Sequence, residues 1–157
     1  MDERYLCQKI AEAVKSVFNM MAGISLEEKE VITSKEEIRG DITGIIGFSN
    51  EQTKGSMAIS FPIKLAKKTV ANMLVSDPES ITEDDLIDGI GEIANMVIGD
   101  FNNRIENIFT ISLPSVVTGK NHLVSFFHDG SPVIISFSDK EGNLLYVLTT
   151  LEKIKRR

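Results

Sequence analysis

Residues 82–101, TEDDLIDGIGEIANMVIGDF, predict one long amphipathic helix. Apolar residues recur in it at steps of three and four, and they form a stripe that must pack on a core: Leu86, Ile90, Ile93, Val97, Phe101 and Ile105. Glu92 and Asn95 project from the opposite side, and residues three apart on a helix have Cβ atoms about 5–6 Å apart. The helix therefore presents a carboxylate and a carboxamide together. The predicted solvent-facing sector comprises Asp88, Glu92, Asn95, Gly99 and Asn102.

Three glycines, Gly89, Gly91 and Gly99, lie within this helix. Glycine in a helix interior is roughly 1 kcal/mol less favourable than alanine, so something should offset the cost. One explanation is that a neighbouring element approaches closely, for example at Gly91. Another is that the face carrying Glu92 and Asn95 is kept clear for a second molecule. An exposed glutamate and asparagine are also compatible with a plain solvated surface, and the spacing leaves these alternatives open.

The composition predicts a single domain covering residues 1–157, because 42% hydrophobic and 25% charged residues are ordinary for a globular protein of this length. A net charge of −6 argues against nucleic-acid binding, which depends on neutralising phosphates. The chain has neither a signal-peptide core nor an apolar run long enough for membrane insertion. Its single cysteine, Cys7, permits no internal disulfide, so we expect a cytoplasmic protein.

A second helix is predicted over residues 3–22, with Gly23 able to end it in a left-handed conformation. When residues 16–23 are aligned with residues 92–99, an asparagine, a methionine and a glycine match. The matched pairs are Asn19 with Asn95, Met20 with Met96, and Gly23 with Gly99. This similarity suggests that the chain repeats itself.

A predicted β-hairpin follows each of these helices. Residues 45–50 and 55–60 form the first, and residues 134–139 and 142–147 form the second, with a loop that should be two residues shorter. An extended stretch precedes each hairpin, at residues 24–32 and 109–117. The sequence therefore predicts an α+β fold of internally duplicated α-β-β-β units, at about residues 3–61 and 83–151, with two long helices packed side by side on a β-sheet.

A connecting helix is expected between the halves, beginning at Pro62 and running to about Val75. Thr82 and Asp85 have the spacing of a capping box at the start of the central helix. The methionines Met20, Met21, Met57, Met73 and Met96 are interpreted as core residues, with Met96 alone beside the face of Glu92 and Asn95. His122 and His128 lack the partners of a zinc site, so no metal site is predicted.

An internally duplicated chain with a Gly-x-Glu-x-x-Asn-x-x-x-Gly helix resembles the CheC/CheX/FliY family of bacterial chemotaxis phosphatases, and the CheX type most closely. The resemblance implies hydrolysis of the aspartyl phosphate on a CheY-like response-regulator receiver in two-component signalling. It implies that Asn95 orients the attacking water and that Glu92 pairs with a receiver lysine. It also implies a homodimer, no cofactor of the protein's own, and a magnesium ion on the receiver.

The first half departs from this motif, because Ser16 stands where the glutamate would be although Asn19 is retained. Glu12 shares the sector of Asn19 but lies about two turns away, roughly 10 Å at 1.5 Å per residue. The first motif is therefore predicted to be inactive. An alternative function remains open, in which the protein is a non-catalytic module that binds a receiver or another chemotaxis or flagellar partner.

Overall fold

Three helices lie on one face of a seven-stranded antiparallel sheet in the computed structural model, which describes residues 2–126 and 132–154. The helices are α1 (Glu3–Ala22), α2 (Ile63–Leu74) and α3 (Glu83–Arg104), with a short 3-10 turn at Pro78–Ser80. The strands are β1 (Glu27–Ile32), β2 (Glu37–Ser49), β3 (Thr53–Phe61), β4 (Thr110–Ile111), β5 (Ser115–Ser125), β6 (Val133–Ser138) and β7 (Leu144–Lys153).

The strand order shows the internal duplication directly. It runs β1-β6-β7-β3-β2, with β4 and β5 both pairing with β2 at the far side. In the first hairpin Ile45 pairs with Ala58, and in the second Ile134 pairs with Leu148. Ala58 and Leu148 then pair with each other where β3 meets β7, so the axis relating the halves passes through this pair. The predicted α+β fold class, with duplicated units and two long helices on a sheet, is confirmed.

The two hairpin loops differ from the prediction. The first connection is residues 50–52 and the second is residues 139–143, so the second loop is the longer one. Asn50 tightens the first loop by accepting hydrogen bonds from the backbone amides of Gln52 and Thr53. Asp139 organises a wider turn, because its carboxylate accepts from the amides of Glu141 and Asn143 and also from Lys68 of α2 at 3.3 Å.

The outermost strands begin later than predicted. β1 starts at Glu27, and the stretch expected over residues 109–117 is divided into β4 and β5 by residues 112–114. Pro114 in that break has no amide hydrogen to donate to the sheet. β1 carries a bulge between Glu28 and Glu30 at the matching place in the first half.

The helix ends follow local capping chemistry. Asp2 accepts a hydrogen bond from the amide of Tyr5 at 2.8 Å, and Gly23 ends α1 in the left-handed region at φ 61°. Thr82 and Asp85 form the predicted capping box of α3. Pro62 precedes α2 as its N-cap instead of occupying its first turn.

The main core lies between the helices and the sheet. The apolar stripe of α3 is buried there as predicted, with Ile90, Ile93, Val97 and Phe101 fully inaccessible to solvent. α1 and α3 lie side by side and antiparallel. Glu12 in the middle of α1 contacts Arg104 at the end of α3, and Met20, later in α1, lines a groove together with Met96, earlier in α3. The opposite faces of α1 and α3 are left to solvent.

Val75 ends α2 at φ 53° and ψ 52°, with 92% of its surface exposed. Left-handed backbone costs a β-branched residue roughly 1–2 kcal/mol. We therefore expect Val75→Gly to raise the free energy of unfolding by about 1 kcal/mol in urea denaturation. Val75→Ala is the matched control, because it trims the side chain and keeps a Cβ in the left-handed region. Equal stability of the two variants would contradict the assignment of strain to this residue.

Candidate functional site

Glu92 and Asn95 both lie exposed on the outer face of α3, while Ile93 and Ala94 between them are buried. Neither the Glu92 carboxylate nor the Asn95 carboxamide makes a hydrogen bond or an ion pair with any of the residues that the structure describes. Both side chains are therefore available to another molecule.

The side of α3 opposite Glu92 and Asn95 packs closely against β2 and α2. A Cβ added at Gly44 of β2 would lie 2.8 Å from the Cβ of Ala94, and one added at Gly89 would lie 2.6 Å from Val70 of α2. At Gly91 the nearest atom would be a Val116 methyl at 3.4 Å. Close approach by α2 therefore accounts for Gly89, which was one of the explanations left open by the sequence. At Gly91 the distance is an ordinary van der Waals contact that an alanine could also make.

Gly99 is different from the other two glycines of α3. It is half-buried, it has ordinary helical backbone, and an added Cβ would meet no atom within 4 Å. No contact within the described chain requires a glycine there. Gly99 follows Asn95 by four residues, so it lies one turn further along the same face. Its effect is to keep the surface beside Asn95 clear.

Asn102 was predicted to share this solvent-facing sector, and that prediction is wrong. Asn102 is buried, and its side chain donates to the carbonyl of Phe109 at 2.9 Å and accepts from the amide of Phe109 at 3.1 Å. These two bonds satisfy the backbone carbonyl and amide of Phe109, in the segment that follows α3. Asn102 therefore does not belong to the exposed face of α3.

A groove of about 450 Å³ runs between α1 and α3 beside this face. We call it the α1–α3 groove, and its lining comprises Val17, Met20, Met96, Gly99, Asp100, Asn103 and Arg104. Met20 is 73% exposed, so its interpretation as a core residue is wrong. The stripe of α1 faces the sheet through Val17 and the half-buried Met21, which leaves Met20 outside it.

The first motif has different surroundings from the second. Glu12 contacts Lys9 and Arg104, each at 3.4 Å. Desolvation opposes ionisation of Glu12, but hydrogen bonds from Lys9 and Gln8 and the charge of Arg104 keep its pKa below the usual value. Arg104 is held in turn by Asp100, whose hydrogen bond is the main cause of its raised pKa. Glu12 therefore joins α1 to the end of α3 and is not available as a substitute for the missing acid.

The two helices also end differently around the matching glycines. α1 stops at Gly23, whereas α3 continues past Gly99 to Arg104. The extra turn of α3 lies along α1 and lines the α1–α3 groove with Asp100 and Arg104.

His122 has a hydrogen-bond partner at each of its ring nitrogens. His122 Nε2 lies 2.6 Å from Thr43 Oγ1, and its Nδ1 lies 2.7 Å from the Gly119 carbonyl oxygen, so this ring joins β5 to β2. His128 lies outside the described residues. Over residues 2–126 and 132–154 no cluster of three or more His, Cys, Asp or Glu side chains has the arrangement of a metal site. None of the described helices combines the length and apolarity needed to cross a bilayer.

The family model of the chemotaxis phosphatase CheX matches residues 42–138. The chain belongs to the CheX family. It is 32% identical to the chemotaxis protein CheX of Vibrio vulnificus, with 94% of this chain and 99% of that chain covered and a TM-score of 0.86. A CheC-like superfamily protein of Shewanella sp. PV-4 is also 32% identical, with 97% and 99% covered and a TM-score of 0.87.

A more distant CheX has been solved as a complex. In the CheX–CheY–BeF3–Mg2+ complex of Borrelia burgdorferi, the matching chain is 19% identical, 93% of this chain and 97% of that chain are covered, and the TM-score is 0.77. That likeness shows the shared fold. No curated protein matches the chain significantly.

The sequence of this CheX-family protein did not predict two features of the site. The exposure of Met20 had one available signal, its alignment with Met96, which lies beside the motif. The ion cluster of Glu12, Asp100 and Arg104 had none, because Glu12 is 92 residues from Arg104 and meets it only when α1 and α3 pack antiparallel.

Alanine substitutions at two glycines of α3 should have opposite effects on stability. We expect Gly99→Ala to raise the free energy of unfolding by up to about 1 kcal/mol, because it improves helix propensity without a clash. Gly89→Ala should lower it by about 1–3 kcal/mol, because the methyl would overlap Val70. Urea denaturation of both variants beside the wild type measures this. Destabilisation by Gly99→Ala would reveal a packing role for Gly99.

Proposed function

We propose that this CheX-family protein hydrolyses the aspartyl phosphate of a CheY-like receiver, with Glu92 and Asn95 as the residues that act on it. The observation that carries the proposal is the exposed Glu92–Asn95 pair, which has no partner among the described residues. The opposite side of the helix packs closely against β2 and α2. Membership of a family of chemotaxis phosphatases supports the reaction class. The Borrelia complex of CheX with CheY supports a receiver as the partner.

Asn95 suits the task of orienting water. Phosphoryl transfer has a loose transition state, so catalysis consists mainly of positioning and electrostatic stabilisation. A carboxamide offers both an acceptor and donors, and it can hold a water in line with the phosphorus. As the water oxygen bonds to phosphorus, the bond to the aspartate oxygen breaks and inorganic phosphate leaves. No covalent intermediate on this chain is required.

Glu92 suits the task of docking. Its carboxylate can form a charge-assisted hydrogen bond to a receiver lysine, which fixes the register of the two proteins. Asp84 and Asp88 are also exposed on α3 and add negative charge along the helix. The magnesium ion expected on the receiver supplies positive charge at the phosphoryl oxygens. This chain is proposed to need no cofactor of its own.

The oligomeric state and the compartment belong to the same proposal. In the described residues β1 pairs only with β6, and β5 pairs only with β2, so each has a backbone edge open to a second copy. We propose a cytoplasmic homodimer. Sedimentation velocity of the purified protein tests the dimer, and a monomer at micromolar concentration would contradict it.

Asn95→Ala and Glu92→Ala should impair the reaction in different ways. Removing one polar contact to a transition state costs about 10²–10³ in turnover, so we expect Asn95→Ala to lower kcat by that factor while receiver binding survives. Glu92→Ala should raise KM and also lower kcat, because docking and register are both disturbed. Steady-state phosphate release from phosphorylated receivers of the same organism measures both. Thermal melts should barely change, since exposed substitutions usually alter stability by less than about 0.5 kcal/mol.

Asn19→Ala is the matched control for these variants. Asn19 is exposed on α1 at the position equivalent to Asn95, but Ser16 leaves it without an acid partner. We expect nearly full activity. A loss equal to that of Asn95→Ala would show that the first motif is active, and full activity of both Glu92→Ala and Asn95→Ala would reject the phosphatase proposal in favour of a binding module.

A further inference from the structure

We propose that the α1–α3 groove binds an apolar side chain of the phosphorylated receiver. The first half of the chain, which lacks a complete motif, would then contribute to substrate recognition through α1. The inference rests on the proposed function. It assigns Met20, Met96 and Gly99 as recognition residues beside Glu92 and Asn95. Met20 belongs to the first half, and the other four residues belong to the second.

Met20 has no structural task that explains an apolar residue. It is 73% exposed, and its sulfur lies 3.9 Å from the Ser16 hydroxyl, a weak contact at most. Met96 is half-buried and follows Asn95 directly in α3. Methionine side chains are flexible and polarizable, so two of them beside a reacting group form an adaptable apolar contact for a partner.

Gly99 supplies the clearance that such a contact needs. It lines the α1–α3 groove one turn beyond Asn95, and a Cβ there would project into open space. An added Cβ at Gly89 would overlap Val70, whereas at Gly99 it would meet no atom within 4 Å, so packing within the described chain does not explain Gly99. A partner that enters the groove beside Asn95 provides that explanation.

Charge sets the orientation of the partner. Beyond Gly99, Arg104 is paired with Asp100 and Glu12, and Glu12 also with Lys9. Two positive and two negative charges therefore balance at the far end of the groove. Two turns before Gly99 on α3, outside the lining of the groove, Glu92 is an unpaired acid among the described residues. Glu92 and Gly99 are seven residues apart, about 10 Å along a helix axis. The surface thus fits a receiver that presents a basic group and an apolar group about 10 Å apart, on either side of its phosphoaspartate.

The test uses two variants that alter the groove and leave Glu92 and Asn95 in place. Met20→Ala removes the apolar contact, and Gly99→Gln fills the clearance with a good helix former. We expect each to raise KM for the phosphorylated receiver about tenfold with kcat nearly unchanged, since partial loss of one buried methionine contact is of that order. Met20→Leu should restore the KM, because it replaces the apolar volume.

Leu144→Ala is the matched control. Leu144 is 40% exposed and lies near Tyr146 on the face of the sheet away from the helices. Truncation of its side chain should therefore not change KM. Titration with a receiver loaded with beryllium trifluoride and Mg2+ should show the same tenfold loss for the two groove variants. This binding measurement does not depend on turnover.

The outcomes separate the two proposals. Wild-type protein that releases no phosphate from any receiver of its organism would overturn the proposed function. Active wild type with unchanged KM and binding in both groove variants would overturn the groove inference alone. A change in the dimer equilibrium of Met20→Ala, with receiver binding intact, would show that a second copy occupies the groove and would also overturn the inference.

Discussion

The contact between Ala94 and Gly44 is the constraint on which the arrangement of this protein depends. Because β2 has no side chain at Gly44, α3 can lie directly on the sheet, and an added Cβ would approach the Ala94 methyl to 2.8 Å. That contact fixes the rotation of α3 about its own axis. Ile93 and Ala94 must then face inward, and Glu92 and Asn95 on either side of them must face outward.

The two halves of the chain have diverged while keeping the same framework. Their strand pairings remain symmetric about Ala58 and Leu148, but their helices differ where it matters for the site. Gly23 stops α1, and Gly99 occurs within a helix that continues to Arg104. The longer helix brings Arg104 to Glu12, so an acid of the first half now stabilises the packing of the helix that carries the intact motif.

The fold and the Glu92–Asn95 face were predictable from the sequence because they depend on local periodicity. The apolar stripe of α3, the capping box at Thr82 and the two hairpins each leave a short-range pattern. The errors arise where a side chain acts over a longer distance. Asp139 widens its loop through a bond to Lys68, and Asn102 is drawn inward by Phe109. Periodicity cannot report such partners, and it could not show that Met20 lies beside a groove formed with α3.

The interleaved strand order has a consequence for how the chain folds. β1 of the first half pairs with β6 of the second. Among the described residues the two hairpins pair with each other only through β3 and β7, whose paired residues Ala58 and Leu148 lie 90 positions apart. Neither half can complete its sheet before the other has been synthesised. Contacts of such long sequence separation slow folding, because the loop-closure entropy must be spent before they form. The symmetry of the sheet thus makes its assembly a single late cooperative event instead of two independent ones.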